Sequence, residues 1–215
     1  MKMLKEIGLI GLGVMGKNIA LNLSDNGVAI KAFNDSKEKL EEIKKEFSDT
    51  FEGHTDVNNL INSLSKPRTI LLMVPSGKAT KDVIEKIKDL LDEGDLVIDG
   101  GNSFYLDSEE NGLALEQKKI NFMGMGVSGG EEGARNGPAL MVGYKNKISE
   151  DLKNTLSAIS AKTDQDCIGF YKGHGSGHFI KMVHNGIEYA EMQLIAEIYE
   201  ILRRSKKTNE EIANF

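Results

Sequence analysis

Short apolar runs alternate with amphipathic stretches through most of the chain. Glu6 to Ile10 reads as a strand, and Met15 to Asn26, with Ile19, Leu21 and Leu23 among polar neighbours, as a helix that Gly27 stops. Val28 to Phe33 reads as a second strand, followed by a charged helix from Lys37 to Glu46. Further strands are expected at Thr69 to Val74, Leu96 to Asp99 and Asn121 to Met125, separated by helices at Thr80 to Leu91 and Ser108 to Lys118. Ala139 to Val142, a helix from Ser149 to Ile159 and a last strand at Cys167 to Phe170 close the series. Such alternation predicts an α/β fold with a doubly wound, mainly parallel sheet covered by helices.

From Gly177 to Arg204 the pattern changes to one long helix, with Ile180, Val183, Ile187, Ala190, Leu194 and Ile198 recurring at three to four residues. Thr208-Asn209-Glu210-Glu211 then offers cap residues for a new helix just before Phe215. The expected organisation is therefore an α/β domain over 1–176 and, over 177–215, the start of an all-α domain that this chain leaves truncated.

With 215 residues, 40% of them apolar and 28% charged, the chain can bury one substantial core. Its net charge of −6 is interleaved, as in Lys37 to Glu46 and Lys81 to Glu93, which argues against nucleic-acid binding. An anionic ligand must then be held by local positive charge or by helix N-termini. The single Cys167 excludes an internal disulfide and a cysteine-rich zinc site, and His54, His174, His178 and His184 show no ligand spacing, so the expected site is metal-free. No apolar segment approaches the roughly 20 residues of a membrane span, and the run Ile7 to Ile10 is too short for a secretory leader. A cytoplasmic protein is the expectation.

Gly11-Leu12-Gly13-Val14-Met15-Gly16 follows the first strand and opens the first helix. That context turns a bare G-x-G-x-x-G into a dinucleotide-binding fingerprint, in which the helix N-terminus holds a pyrophosphate on free N–H groups. The 1–176 domain is thus expected to be Rossmann-like and to bind NAD(P). The second strand ends in Asn34-Asp35-Ser36, where a carboxylate can accept from a ribose 2′-hydroxyl but repels a 2′-phosphate; this favours NAD over NADP. Asp35 is equally suited to capping the helix from Lys37. Two more glycine clusters, Asp99 to Ser103 and Gly126 to Gly130, follow strands and so fall at the carboxyl edge of the sheet, where such folds bind ligands. On the long helix, Lys181, His184, Asn185 and Glu188 are spaced three, four and seven apart, which puts an amine, an imidazole, an amide and a carboxyl on one face. Gly186 among them costs about 1 kcal/mol relative to alanine, which suggests close approach by a backbone or a ligand.

Over essentially its whole length the chain resembles the 6-phosphogluconate dehydrogenases: in the Gly11 to Gly16 loop, Ile98 to Ser103, Gly126 to Arg135 and Gly177 to Gln193. The segments Val127 to Arg135 and Lys181 to Tyr189 are the most diagnostic. The resemblance implies oxidative decarboxylation of 6-phosphogluconate to ribulose 5-phosphate in the pentose phosphate pathway, with hydride transfer to the cofactor. Lys181 matches the family's general base and Glu188 the acid that protonates the enediol. Asn102, Ser128, Gly129, Gly130, His184, Asn185 and Tyr189 match substrate-contacting positions. Leu12 to Gly16, Asn34 to Ser36 and Val74, Pro75 and Ser76 match the cofactor cradle, to which Gly11 and Asn102 also belong.

The chain departs from that pattern at Asp35, where NADP-using members carry arginine, although Lys37 and Lys39 offer other phosphate partners. Met73 to Gly77 also lacks the lysine of many NADP-dependent members. The family continues into a large helical domain that supplies further phosphate ligands and most of a homodimer interface. As written, the chain is expected to bind cofactor better than it turns over substrate. Two other readings stand beside this one. A β-hydroxyacid dehydrogenase of the 3-hydroxyisobutyrate type shares the glycine loop, Ser128 to Gly130 and the Lys181 to Asn185 spacing, but has no need of an acid at Glu188. A nucleotide-binding module without catalysis is the other.

Overall fold

A computed structural model describes residues 2–47 and 50–215. The strands, in chain order, are β1 (Glu6–Ile10), β2 (Ala29–Phe33), β3 (Phe51–His54), β4 (Thr69–Leu72), β5 (Leu96–Asp99), β6 (Asn121–Ser128), β7 (Ala139–Tyr144) and β8 (Ile168–Lys172). The helices are α1 (Val14–Asp25), α2 (Lys37–Lys44), α3 (Val57–Ser63), α4 (Lys78–Ile87), α5 (Tyr105–Glu116), α6 (Gly130–Asn136), α7 (Glu150–Ile159), α8 (Ser176–Arg204) and α9 (Asn209–Ala213). By packing, the chain forms two compact units, Met1–Ile180 and Lys181–Phe215.

In the first unit all eight strands join one sheet in the order β3-β2-β1-β4-β5-β6-β7-β8. Every pairing is parallel except β6 with β7. Successive strand residues enter opposite cores. Ile7, Leu9, Leu71, Ile98 and Met123 pack on one side with α1 and α7, through Ile19, Leu23, Leu152 and Leu156. Ile10, Ile70, Leu72, Val97 and Phe122 pack on the other with α3, α4 and α5, through Leu60, Ile61, Ile84, Ile87 and Leu115. Both faces are covered, so the central strands read as unbroken apolar runs rather than as alternating ones. This is the doubly wound α/β fold that the alternation of elements predicts.

The differences have local causes. β3 and α3 do not stand out in the sequence because β3 pairs only with β2 and buries only Phe51, while α3 is seven residues long and buries only Leu60 and Ile61. α6 buries Ala134 alone and so carries no helical period. β6 continues past Met125 to Ser128 because it changes partner: Asn121 to Gly124 pair with β5, and Met125 to Ser128 pair with β7. β8 is followed by Gly173-His174-Gly175-Ser176-Gly177-His178, which leads into α8 and passes close against α5 and β6. A Cβ on Gly175 would collide with the Tyr105 carbonyl, and one on Gly177 with the carbonyls of Gly124 and Met141.

In the second unit α8 exposes large apolar side chains, among them Ile187, Leu194, Ile195, Ile198 and Ile201. α9 opens with a reciprocal cap, in which the Thr208 hydroxyl accepts from the Glu211 N–H and the Glu211 carboxylate accepts from the Thr208 N–H.

Candidate functional site

β1 and β4 are neighbours in the sheet, yet the chain leaves β1 for α1 on one face and β4 for α4 on the other. Such a reversal opens a crevice beyond the carboxyl ends of the strands. Here it is a cleft of 360 Å³. The β1–α1 turn lines it with Gly13, Val14, Met15 and Gly16; the segment after β4 supplies Met73, Val74 and Pro75; the segment after β5 supplies Gly100, Gly101 and Asn102; and β6 supplies Val127.

The three glycines of the turn have different tasks. Gly11 has φ +108° and lies against Met73, where a Cβ would collide with the Met73 carbonyl. On Gly16, the added atom would collide with the Gly11 carbonyl, so Gly16 lets the helix close on the strand. At Gly13 the same atom would meet nothing among the described residues within 4 Å beyond its two chain neighbours, so the absent side chain leaves space in the cleft rather than serving packing. Gly13 is also the N-cap of α1 and gives it no side-chain cap, and the first turn carries no acidic residue. The first N–H groups of a 12-residue helix therefore face the cleft with their partial positive charge, as an anion requires. Room, backbone donors and dipole together fit a dinucleotide pyrophosphate.

The other residues expected at a cofactor divide between those that line the cleft and those that do not. Val74, Pro75 and Asn102 line it; Ser76 lies just beyond and is exposed. Leu12 is 4% exposed and points into the core. At the end of β2, Ser36 caps α2 by accepting from the Lys39 N–H at 3.2 Å, and Asn34 Oδ1 accepts from the Ser36 N–H at 3.0 Å. Asp35 is exposed and is not the helix cap, so the capping role weighed for it falls to Ser36. Ser128 ends β6 opposite Ala139, and Gly129 (φ +131°) and Gly130 (φ +61°) turn the chain into α6. Met73 and Val127, legible only as members of their segments, are additional lining residues whose signal is position at a strand end.

In the second unit, α8 carries Lys181, His184, Asn185 and Glu188 along one face, as their spacing requires. Burial pushes the Lys181 amine below its ordinary pKa, while the Glu188 charge acts in the opposite direction. At a given pH a larger fraction of that amine is thus unprotonated than for a free lysine, which suits a proton acceptor. His184 Nδ1 stands 3.5 Å from Glu188 Oε2 and 3.4 Å from Asn185 Oδ1. Tyr189 is 70% exposed. Apart from its chain neighbours and the adjacent turns of α8, no atom of the described residues lies within 4 Å of a Cβ built on Gly186, so no close approach among the described residues accounts for that glycine.

Comparison with known proteins places this geometry in a family. Residues 6–171 match the NAD binding domain of 6-phosphogluconate dehydrogenase, and residues 177–215 match the C-terminal domain of 6-phosphogluconate dehydrogenase. The chain belongs to the 6-phosphogluconate dehydrogenase family. It is 46% identical over 213 residues to the decarboxylating 6-phosphogluconate dehydrogenase of Chlamydia muridarum, covering 97% of this chain and 44% of the relative. The Staphylococcus aureus enzyme of the same name is 48% identical over 208 residues, covering 94% of this chain and 44% of the relative. The chain thus spans less than half the length of these relatives. Among solved structures, Plasmodium falciparum 6-phosphogluconate dehydrogenase, described apo, with NADP+ and with 6-phosphogluconate, superposes with a TM-score of 0.87 at 40% identity, over 97% of this chain and 45% of its own. A Mycobacterium tuberculosis 3-hydroxyisobutyrate dehydrogenase reaches 0.79 at 19% identity, over 96% of this chain and 68% of its own, a likeness of fold alone. Rossmann-like architecture and an NAD(P)-binding domain are therefore properties of this chain by family as well as by geometry. No helix among the described residues is long and apolar enough to cross a membrane.

Proposed function

We propose that the chain is the dinucleotide-holding portion of an enzyme that oxidatively decarboxylates 6-phosphogluconate, giving ribulose 5-phosphate and carbon dioxide. The observation that carries this reading is Gly13, which leaves open space at an uncapped helix N-terminus inside the cleft. The Plasmodium relative, whose structures hold NADP+ and 6-phosphogluconate, supports it.

The α1 N-terminus holds the pyrophosphate on its free N–H groups, with Val74 and Pro75 as an apolar wall. The nicotinamide ring, when bound, supplies the hydride acceptor. Lys181, partly desolvated, takes the proton of the C3 hydroxyl as the hydride leaves C3. The 3-keto acid so formed loses its carboxylate, and Glu188 returns a proton to the enediol carbon. Asn102, Ser128, Gly129, Gly130, His184, Asn185 and Tyr189 bind the sugar acid. For the cofactor, NAD is the preferred dinucleotide: Asp35 is exposed and does not cap α2, so its carboxylate is available to a ribose 2′-hydroxyl and repels a 2′-phosphate. Lys37 and Lys39 are the alternative phosphate partners. A homodimer and a cytoplasmic location belong to the same reading.

The experiment is a pair of calorimetric titrations of the chain with NAD+ and NADP+, each repeated with 6-phosphogluconate present. Tighter NAD+ binding, strengthened by the sugar acid, is the expected result. Clear NADP+ preference would sink the role of Asp35 and move attention to Lys37 and Lys39. Indifference to 6-phosphogluconate would count against the proposed substrate.

A further inference from the structure

Behind the cleft, a polar cluster is sealed inside the first compact unit. Asp99, fully buried, closes β5; its Oδ1 accepts the Gly101 N–H at 3.0 Å, while Oδ2 has no hydrogen-bond partner among the described residues. Ser103 Oγ is also unpartnered. A Cβ on Gly101 would lie 3.1 Å from Asp99 Oδ1 and 3.7 Å from Ser103 Oγ, so both side chains surround the same glycine. His178, on the first turn of α8 and only 2% exposed, reaches this cluster from behind. Its Nδ1 stands 2.6 Å from Ser108 Oγ on α5, and its Nε2 is unpartnered. Burial holds the imidazole below its ordinary pKa, opposed by Asp99 and by the backbone of Gly101, Met125 and Asp99.

Three unpartnered polar atoms around one loop call for a common explanation, because buried donors and acceptors are ordinarily satisfied. The tautomer supplies it. The Ser108 hydroxyl stands 3.4 Å from the Phe104 carbonyl and 2.6 Å from His178 Nδ1, and donation along the shorter contact leaves Nδ1 as the acceptor. On that assignment Nε2 carries the ring proton, and the Asp99 charge and the backbone of Gly101, Met125 and Asp99 all favour a proton on this ring. The loop so held is the one that lines the cleft with Gly100, Gly101 and Asn102.

We propose that His178 is a positioning residue, which accepts from Ser108 through Nδ1 and donates from Nε2 to the Asp99–Ser103 loop, bracing the segment that presents Asn102 to the cleft. This rests on the reading of the cleft as a dinucleotide site. It also gives the buried start of α8 a task separate from Lys181, one turn further on.

The test combines nitrogen-15 NMR of the imidazoles with titration of the intact chain by NAD+ and NADP+. His178 is expected to titrate below an ordinary histidine and, in its neutral form, to carry its proton on Nε2. His178→Gln, which keeps an N–H donor, is expected to bind the better dinucleotide within about threefold of the parent, and His178→Leu, which has none, to lose about tenfold. Equal affinity in all three proteins, protonation at Nδ1, or ordinary titration of His178 overturns the proposal. Where His178→Leu does not fold, Ser103→Ala decides: a shifted His178 Nε2 resonance supports the brace, and an unmoved one overturns it. Failure of the parent chain to bind either dinucleotide removes the functional reading instead, and the imidazole spectra of the parent and of Ser103→Ala still judge the brace.

Discussion

At the β1–α1 turn a side chain on Gly13 would enter open space, whereas at the β8–α8 crossing side chains on Gly175 and Gly177 would strike the carbonyls of Tyr105, Gly124 and Met141. Both segments are glycine-rich and both lead from a strand into a helix. One leaves room for something the chain does not supply; the other lets the chain close upon itself. A glycine run thus indicates a ligand only where the space beside it is unclaimed by protein, and Gly13 meets that condition while its motif partners Gly11 and Gly16 do not.

The contrast can be broken in four places. The largest effect is expected from Gly177→Ala, because two backbone carbonyls cannot yield as a flexible side chain would. A loss of about 3 kcal/mol or more in urea unfolding is the expected outcome, and a variant as stable as the parent would remove the close-packing account. Gly13→Ala should by comparison cost less than about 1 kcal/mol in the same measurement, since only the cap preference changes. Larger destabilisation would mean that Gly13 serves packing after all.

A third variant, Asp35→Ser, touches an exposed position and should leave unfolding unchanged. Its NAD+ to NADP+ affinity ratio should fall on the order of tenfold as the carboxylate is removed; an unchanged ratio would assign the choice of cofactor elsewhere. Gly186→Ala has the smallest expected effect, a gain of up to about 1 kcal/mol in the stability of α8, because no described atom stands where the methyl would go. Loss of helicity by circular dichroism would contradict that.

These contrasts also explain what could be read in advance. The Gly11 to Gly16 turn was legible because its meaning is local: a strand, a spacing and a helix follow one another within the same segment. The central strands were legible for the same reason, since β1 and β5 are short apolar runs bounded by breakers. By contrast, the β8–α8 crossing depends on Gly112, Gly124 and Gly143, which receive it from distant parts of the chain. A Cβ on Gly112, for example, would collide with the His174 ring. His174 and His178 accordingly looked like two polar residues without ligand spacing, although both are buried. On α8, spacing alone put Lys181 and Glu188 on one face, but the burial that lowers the Lys181 pKa has no signature in the sequence.

The central claim is that the open space at Gly13 receives a nicotinamide dinucleotide. It is tested most directly by titrating the parent chain and Gly13→Ala side by side with NAD+ and NADP+ in a calorimeter, after matching their melting curves. The account predicts one dinucleotide bound per parent chain and affinity weakened at least about tenfold in the variant, as the added methyl displaces the pyrophosphate from the α1 N–H groups. A folded parent that binds neither dinucleotide, or a variant that binds as tightly as the parent, would contradict it.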